Sequence, residues 1–379
     1  MRVEMVLPTL AAAGMEVMVA NLTRGLARRG YDVGVTCLEA DGPIADELRT
    51  DGFRVAVVRS PGFRGVLRPV RLEAWLRHVR PDVVHAHSGG WLKAARAARR
   101  AGVRTVVHTV HGLLEREPWH GVPLKRWAAR FTDRVVPVSE PLREYLLRIV
   151  RLPAAMITLV PNGVDLDAFQ PGQRRSAWRA DLGIGPEALV IGNVARLDGV
   201  KNHADLLNGF AMMRPRAPEA VLVIAGDGPL RRELEARAAA LGVAQHVRFL
   251  GQTRDIAALY REFDLFVLSS SAEGTSLSVL EAMASGVCVV ATAVGGTPAL
   301  LGQGPVGRLV APADPAALAA AMADLLRDHR QRHALAEAGR RAVVARYSLE
   351  TMVRRYEQEY GRVTGVQPTR VQQCVVSPS

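Results

Sequence analysis

Apolar and polar positions along this chain follow two alternating periods. Short, largely apolar runs of strand length recur at 2–8 (RVEMVLP), 31–38 (YDVGVTCL), 54–59 (RVAVVR), 82–87 (DVVHAH), 105–112 (TVVHTVHG) and 134–139 (RVVPVS). Between some of them lie segments with apolar residues at helical spacing, at 14–30, 72–80 and 92–102. The alternation starts again at 189–197 (LVIGNVARL). It continues through strand-like runs at 220–228, 247–251, 265–271 and 288–296, with helical patterns at 204–213, 229–242, 256–263 and 277–286. Residues 315–347 read as helix with breaks. Strands that alternate with helices form parallel sheets covered on both faces. The pattern therefore predicts an α/β protein of two successive doubly wound, Rossmann-like domains facing a central cleft.

VPNGVDLDAFQPGQ at 160–173, rich in Pro, Gly and Asn, is the natural linker. The expected domains are 1–165 and 166–346, followed by a helix at 347–365 and an aperiodic, mobile tail at 366–379. With 379 residues, 49% hydrophobic and 23% charged, each half can bury a core of its own. No apolar run reaches the ~18–20 residues of a membrane helix, and the N-terminus carries no signal-peptide pattern. Three dispersed cysteines, Cys37, Cys288 and Cys374, offer neither a disulfide framework nor metal-ligand spacing. Together these predict a cytoplasmic protein. The net charge is +12, and about two thirds of the excess lies in the first 170 residues. Such an excess favours phosphates, acidic membrane surfaces or nucleic acid, and an arginine-rich composition alone also produces it. No RNA- or DNA-binding module accompanies the charge, so a nucleic-acid partner is not expected.

Open parallel sheets bind ligands beyond the carboxyl ends of their strands, and the informative residues lie there. Gly14 opens a helix after the first strand, where a backbone N–H can approach a phosphate; it also simply permits the turn. Glu16 suits the first turn of that helix. A GxGxxG fingerprint is absent, which argues against a nicotinamide enzyme. His85 and His87 share a strand face, with no further ligand spacing to complete a zinc site. His111 ends a strand before a glycine, where a loop opens and a histidine can meet sugar hydroxyls or a forming charge. Arg196 and Lys201 follow a strand and can reach a diphosphate; as a pair they also read as solvated charges. The stretch AEGTSLSVLEAMASG puts Glu273 on a loop at a strand end, eight positions before Glu281. Ser278 and Glu281 fit a capping box, and the N–H groups around Ser276–Ser278 are free helix-start donors. WHGVPLKRWAARF at 119–131 interleaves Trp119, Trp127 and Phe131 with basic residues. It suits either an acidic bilayer surface or a core-facing aromatic pair.

Taken in order, the Gly14 turn, HGL at 111–113, VSE at 138–140, VPNGVD at 160–165, ARLDGVKN, IAGDGP, VRFLG, AEGTSLSVLEAMASG and ATAVGG resemble one family. It is the family-4 retaining glycosyltransferases (glycosyl transferases group 1) with the two-Rossmann GT-B fold, and the likeness spans residues 1 to about 365. The resemblance implies transfer of a sugar from a nucleotide diphosphate sugar, of UDP or GDP type, to a hydroxyl acceptor, with no metal and no further cofactor. It implies that Glu273 holds donor-sugar hydroxyls, Glu281 the ribose, and Arg196 and Lys201 the diphosphate. His111 would face the sugar, and Gly14, Gly274, Thr275, Ser276, Leu277 and Ser278 would line the donor. The segment at 347–363 is similar to the helix that crosses back onto the first domain. Ala13, Thr275, Cys288 and Ala299 depart from the family's common residues without removing a charged position. The basic first half and its aromatic helix suggest a lipid-linked or exopolysaccharide acceptor and a peripheral place on the inner membrane face. The alternative is a catalytically idle nucleotide-sugar-binding protein on the same fold.

Overall fold

The computed structural model describes residues 1–59, 65, 68–112, 120–174, 176–253, 255–302 and 304–365. Trp119 and the tail beyond residue 365 lie outside them. Among the described residues, the first half supplies β1 (Arg2–Leu7), β2 (Asp32–Cys37), β3 (Arg54–Val57), β4 (Val83–His87), β5 (Thr105–Val110) and β6 (Arg134–Pro137). These pair in parallel in the order β3-β2-β1-β4-β5-β6. The second half supplies β7 (Val190–Val194), β8 (Val221–Ala225), β9 (Val247–Gly251), β10 (Leu265–Leu268), β11 (Cys288–Thr292) and β12 (Arg308–Val310). Their order is β12-β11-β10-β7-β8-β9, again all parallel. Helices flank both sheets, so central strands are buried throughout and read as continuous apolar runs.

Both orders reverse once, between β1 and β4 in the first sheet and between β7 and β10 in the second. Such a reversal splays the loops at the strand ends and opens a crevice there. Two buried polar groups near these central strands are fully accommodated. Glu4 on β1, wholly buried, accepts from Thr36 Oγ1 (2.5 Å) and Arg54 Nη2 (2.9 Å). Asn193 on β7 donates to the Val267 carbonyl (2.8 Å) and faces His203 Nε2 at 2.9 Å. Buried polar groups persist in cores when they are paired in this way.

The 315–347 segment resolves into helices Pro315–Arg327 and His329–Arg346. The break is Asp328, whose carboxylate accepts from the Gln331 N–H (2.9 Å) and starts the second helix. Helix Leu349–Thr364 packs on the first half. Tyr356 and Tyr360 are fully buried there, at 3.0 Å from Thr109 Oγ1 and 2.7 Å from His85 Nδ1. Arg29 pairs with Glu357, and a bridge joins Val164 to Ser348. Helix Gly121–Ala129 turns Trp127 toward the interior, where the Arg96 guanidinium lies 4.8 Å over its ring. Lys125 bonds Tyr145, and Arg126 bonds the Val150 carbonyl (2.7 Å). Phe131, just past the helix, packs on the same core, so both described aromatic residues of the stretch meet the core-facing expectation.

Candidate active site

The two reversal points face each other. Helix Gly14–Arg28 begins after β1, and a Cβ built at Gly14 would lie 4.0 Å from Leu277 Cδ1 in the second half. A Cβ at Gly274 would overlap the His111 carbonyl, and Thr275 Oγ1 bonds the Val138 carbonyl. Asn162, in the connecting segment, donates to the Thr275 carbonyl (2.8 Å). The loop Glu273–Ser276 is thus pressed against the strand ends of β5 and β6. On its other side Gly295, held at φ 52°, and Gly296 back it so closely that a side chain at either would overlap the Glu273 or Gly274 carbonyl.

Lys201 and Glu273 meet in this cleft. Lys201 Nζ donates to Glu273 Oε1 at 2.7 Å, and Ser270 Oγ donates to the same oxygen at 2.7 Å. Arg196 is largely exposed and pairs with Asp198, at 2.6 Å from Nη2 to Oδ2. Asp198 Oδ1 also accepts from the Lys201 N–H (3.2 Å), capping the turn Gly199–Lys201. Glu16 is buried, and burial raises its carboxyl while the Arg196 charge across the cleft draws it back.

Glu281 corrects one expectation. Helix Leu277–Ala284 starts with Ser276 as its N-cap, and its first backward bond runs from Leu280 N–H to the Ser276 carbonyl (3.2 Å). Ser278 and Glu281 therefore lie inside the helix and form no capping box. Ser278 Oγ is 3.2 Å from Ser276 Oγ, and Glu281 Oε2 accepts from the Tyr260 hydroxyl (2.9 Å). Burial pushes the Glu281 carboxyl up to about 7, against the Tyr260 hydrogen bond. The N–H groups of Leu277, Ser278 and Val279 precede the first backward bond, as expected of a helix start.

His111 sits just past β5, with Nε2 3.0 Å from His87 Nδ1. Burial of its ring drops the imidazole to about 3. His85 lies against His87, ring centroids 4.1 Å apart and planes tilted by 39°. Sequence reasoning did not single out Asp198, Ser270 or Tyr260, and left His87 without a partner. Only Asp198 carried a local signal, an Asp before a Gly-Val-Lys turn. The structure joins Lys201, Glu273, Gly274 and His111 in one cleft wall, with Gly14 opposite Leu277. Tyr260 joins the Glu281 carboxylate to the Ser278 carbonyl (3.1 Å), and among the described residues the Glu281 side chain bonds no other candidate.

Comparison with known proteins gives this cleft a family. The family model described as Glycosyl transferases group 1 matches residues 174–342, and Glycosyltransferase Family 4 matches residues 12–168. D-inositol 3-phosphate glycosyltransferase of Actinosynnema mirum is 33% identical over 342 residues, covering 79% of this chain and 80% of that protein. UDP-Gal:alpha-D-GlcNAc-diphosphoundecaprenol alpha-1,3-galactosyltransferase of Escherichia coli is 30% identical over 282 residues, covering 70% of this chain and 72% of that one. The structure of Anabaena Alr3699/HepE, solved with UDP and glucose, superposes with a TM-score of 0.86 at 23% identity, over 96% of this chain and 100% of that one. Two facing parallel six-stranded sheets are the GT-B architecture of such enzymes. The chain belongs to the group 1 family of glycosyltransferases.

Proposed function

We propose that this glycosyltransferase moves a hexose from a nucleotide diphosphate sugar, of UDP or GDP type, to a hydroxyl on a lipid-linked or polysaccharide acceptor, with retained anomeric configuration and no metal. In this reading residues 1–165 take the acceptor and residues 166–346 take the donor. The observation that carries it is the Lys201–Glu273 pair at 2.7 Å, set between the exposed guanidinium of Arg196 and the helix start at Ser276–Leu277.

The anomeric carbon–oxygen bond to the diphosphate breaks as the acceptor oxygen bonds to that carbon, and the acceptor's proton passes to the departing diphosphate oxygen. Negative charge gathers on the departing diphosphate. Arg196, Lys201 and the N–H groups at the helix start are fixed donors for that charge. Glu273 and His111 hold sugar hydroxyls, and Glu281 holds the ribose. Gly14, Gly274, Thr275 and Ser278 leave room for the donor or shape its loop. Closure of the two halves keeps water from competing with the acceptor. Losing one diphosphate contact costs about 3 kcal/mol of barrier, roughly a hundredfold in rate.

The acceptor reading draws on the E. coli relative, whose name specifies a diphosphoundecaprenol acceptor, and on the +12 charge. An acidic inner-membrane surface is the partner that charge suits. No described helix is long and apolar enough to cross a membrane. Flotation with acidic vesicles tests this part, and absence of binding refutes it. For the reaction, a panel of UDP- and GDP-sugars is incubated with lipid diphosphate acceptors. Release of nucleoside diphosphate from one donor, with the product's anomeric proton matching the donor's configuration, is the expected result. Binding without release would leave only the idle nucleotide-sugar binder; inversion would refute retention.

A further inference from the structure

Two adjacent strand ends place His87 and His111 side by side. His87 is wholly buried as the last residue of β4, and β5 runs beside it with His87 opposite Thr109. Its Nδ1 lies 3.0 Å from His111 Nε2. Its other nitrogen, Nε2, is buried and has no hydrogen-bond partner among the described residues. His85, tilted against it, is fully engaged: Nδ1 faces the Tyr360 hydroxyl at 2.7 Å and Nε2 faces Thr109 Oγ1 at 2.8 Å.

We propose that His87 is a positioning residue that fixes the tautomer of His111, so that His111 presents an Nδ1–H donor to the cleft. The proposal rests on the glycosyltransferase reading for its functional meaning, but not for its geometry. A neutral imidazole carries one N–H, and burial keeps both rings neutral. The His87–His111 contact needs one donor and one acceptor. Were the donor His111 Nε2, the His87 proton would sit on Nε2, a buried N–H with nothing to receive it. An orphaned buried N–H bears its full desolvation cost, and such groups are rarer than under-satisfied acceptors. The His87 proton is therefore on Nδ1 and is donated to His111 Nε2. That leaves the His111 proton on Nδ1. No described residue accepts it, but His111, unlike His87, is only partly buried, so solvent or a ligand can. Such a donor suits a sugar hydroxyl oxygen. The bond made by one ring nitrogen sets the role of the other, as where an outer partner orients a metal-bound histidine.

The test is long-range proton–nitrogen NMR of the full chain with ¹⁵N-labelled histidine, assigned through His87→Leu and His111→Gln, alongside steady-state transfer. The wild type is expected to show His111 protonated at Nδ1. His87→Asn, whose amide places an N–H near the position of Nδ1, keeps that tautomer and recovers most of the transfer rate. His87→Leu mixes the tautomers and lowers kcat about tenfold, with donor KM within about twofold. A wild-type His111 protonated at Nε2 overturns the proposal, even if His87→Leu fails to fold. So does wild-type turnover in His87→Leu, or a folded His87→Asn as impaired as His87→Leu. A wild type that transfers nothing from any donor sinks the functional reading, while the NMR result still decides the tautomer.

Discussion

Asp198 holds Arg196 at 2.6 Å through Oδ2, and its other oxygen caps the backbone of Lys201. One carboxylate thus ties together both cations proposed for the diphosphate. It also offsets the Arg196 charge. Asp198→Asn keeps an oxygen for the Lys201 N–H but removes the competing charge. It should bind nucleoside diphosphate a few-fold tighter, in keeping with about 1 kcal/mol for an exposed ion pair, with kcat reduced only modestly. Asp198→Ala loses the cap as well, and its kcat should fall by a further tenfold or so. Calorimetric titration with UDP and GDP beside kcat for both variants checks this. Equal behaviour of the two would contradict it.

With Glu281 proposed for the ribose, its carboxyl, pushed up to about 7 by burial, should make donor affinity depend on pH. An ionised carboxylate accepts from ribose hydroxyls more strongly than the neutral acid does. Donor binding should therefore weaken as pH falls through about 7, by at most tenfold per unit, and level off where the neutral acid alone binds. Folding has the opposite sign. The native preference for the protonated acid is fully present below the ordinary value of 4.5 and is lost as pH rises through about 7. Glu281→Gln should flatten the donor KM profile. Tyr260→Phe, by removing the hydroxyl that favours ionisation, should move the midpoint upward. A KM profile unchanged in both variants would exclude Glu281 from the ribose site.

Gly274 leaves no room for a side chain beside the His111 carbonyl. Gly274→Ala should hold the two halves apart at this contact. Transfer is expected to fall at least a hundredfold while the far-ultraviolet circular dichroism stays the same, because both sheets persist. Small-angle scattering should register a more open molecule. Wild-type turnover in this variant would mean the loop does not seat against β5 during the reaction.

Arg29 and Glu357 clamp helix Leu349–Thr364 to the first half, with Glu357 only 4% exposed at its side chain. Arg29→Met strands that carboxylate and should lower stability by about 2–4 kcal/mol in a urea titration. Adding Glu357→Met should recover most of the loss, since an apolar pair removes the stranded charge. A double variant no better than the single would place the stabilisation elsewhere on the helix.

Much of this architecture was legible in the sequence because parallel strands covered on both faces read as unbroken apolar runs. Helix Pro43–Thr50 escaped notice: its buried residues are Ile44, Ala45 and Leu48, too few to set a period. Ser278 and Glu281 suggested a capping box, yet the chain starts its helix at Leu277, and a shift of one or two residues turns a cap into an interior position. The partners that give the cleft residues their chemistry lie far off in sequence. Tyr260 precedes Glu281 by 21 positions, and His87 precedes His111 by 24. Only strand order and helix packing bring them together, and no local pattern encodes that.

Most central is the reading that Lys201, held 2.7 Å from Glu273 Oε1, grips the departing diphosphate. Its most direct measurement is nucleoside diphosphate release from the preferred donor by wild type and Lys201→Ala, with thermal melts of both. Release by the wild type and a loss of about a hundredfold in the folded variant are expected. Wild-type turnover in Lys201→Ala, or no release by the wild type from any UDP- or GDP-sugar, would contradict it.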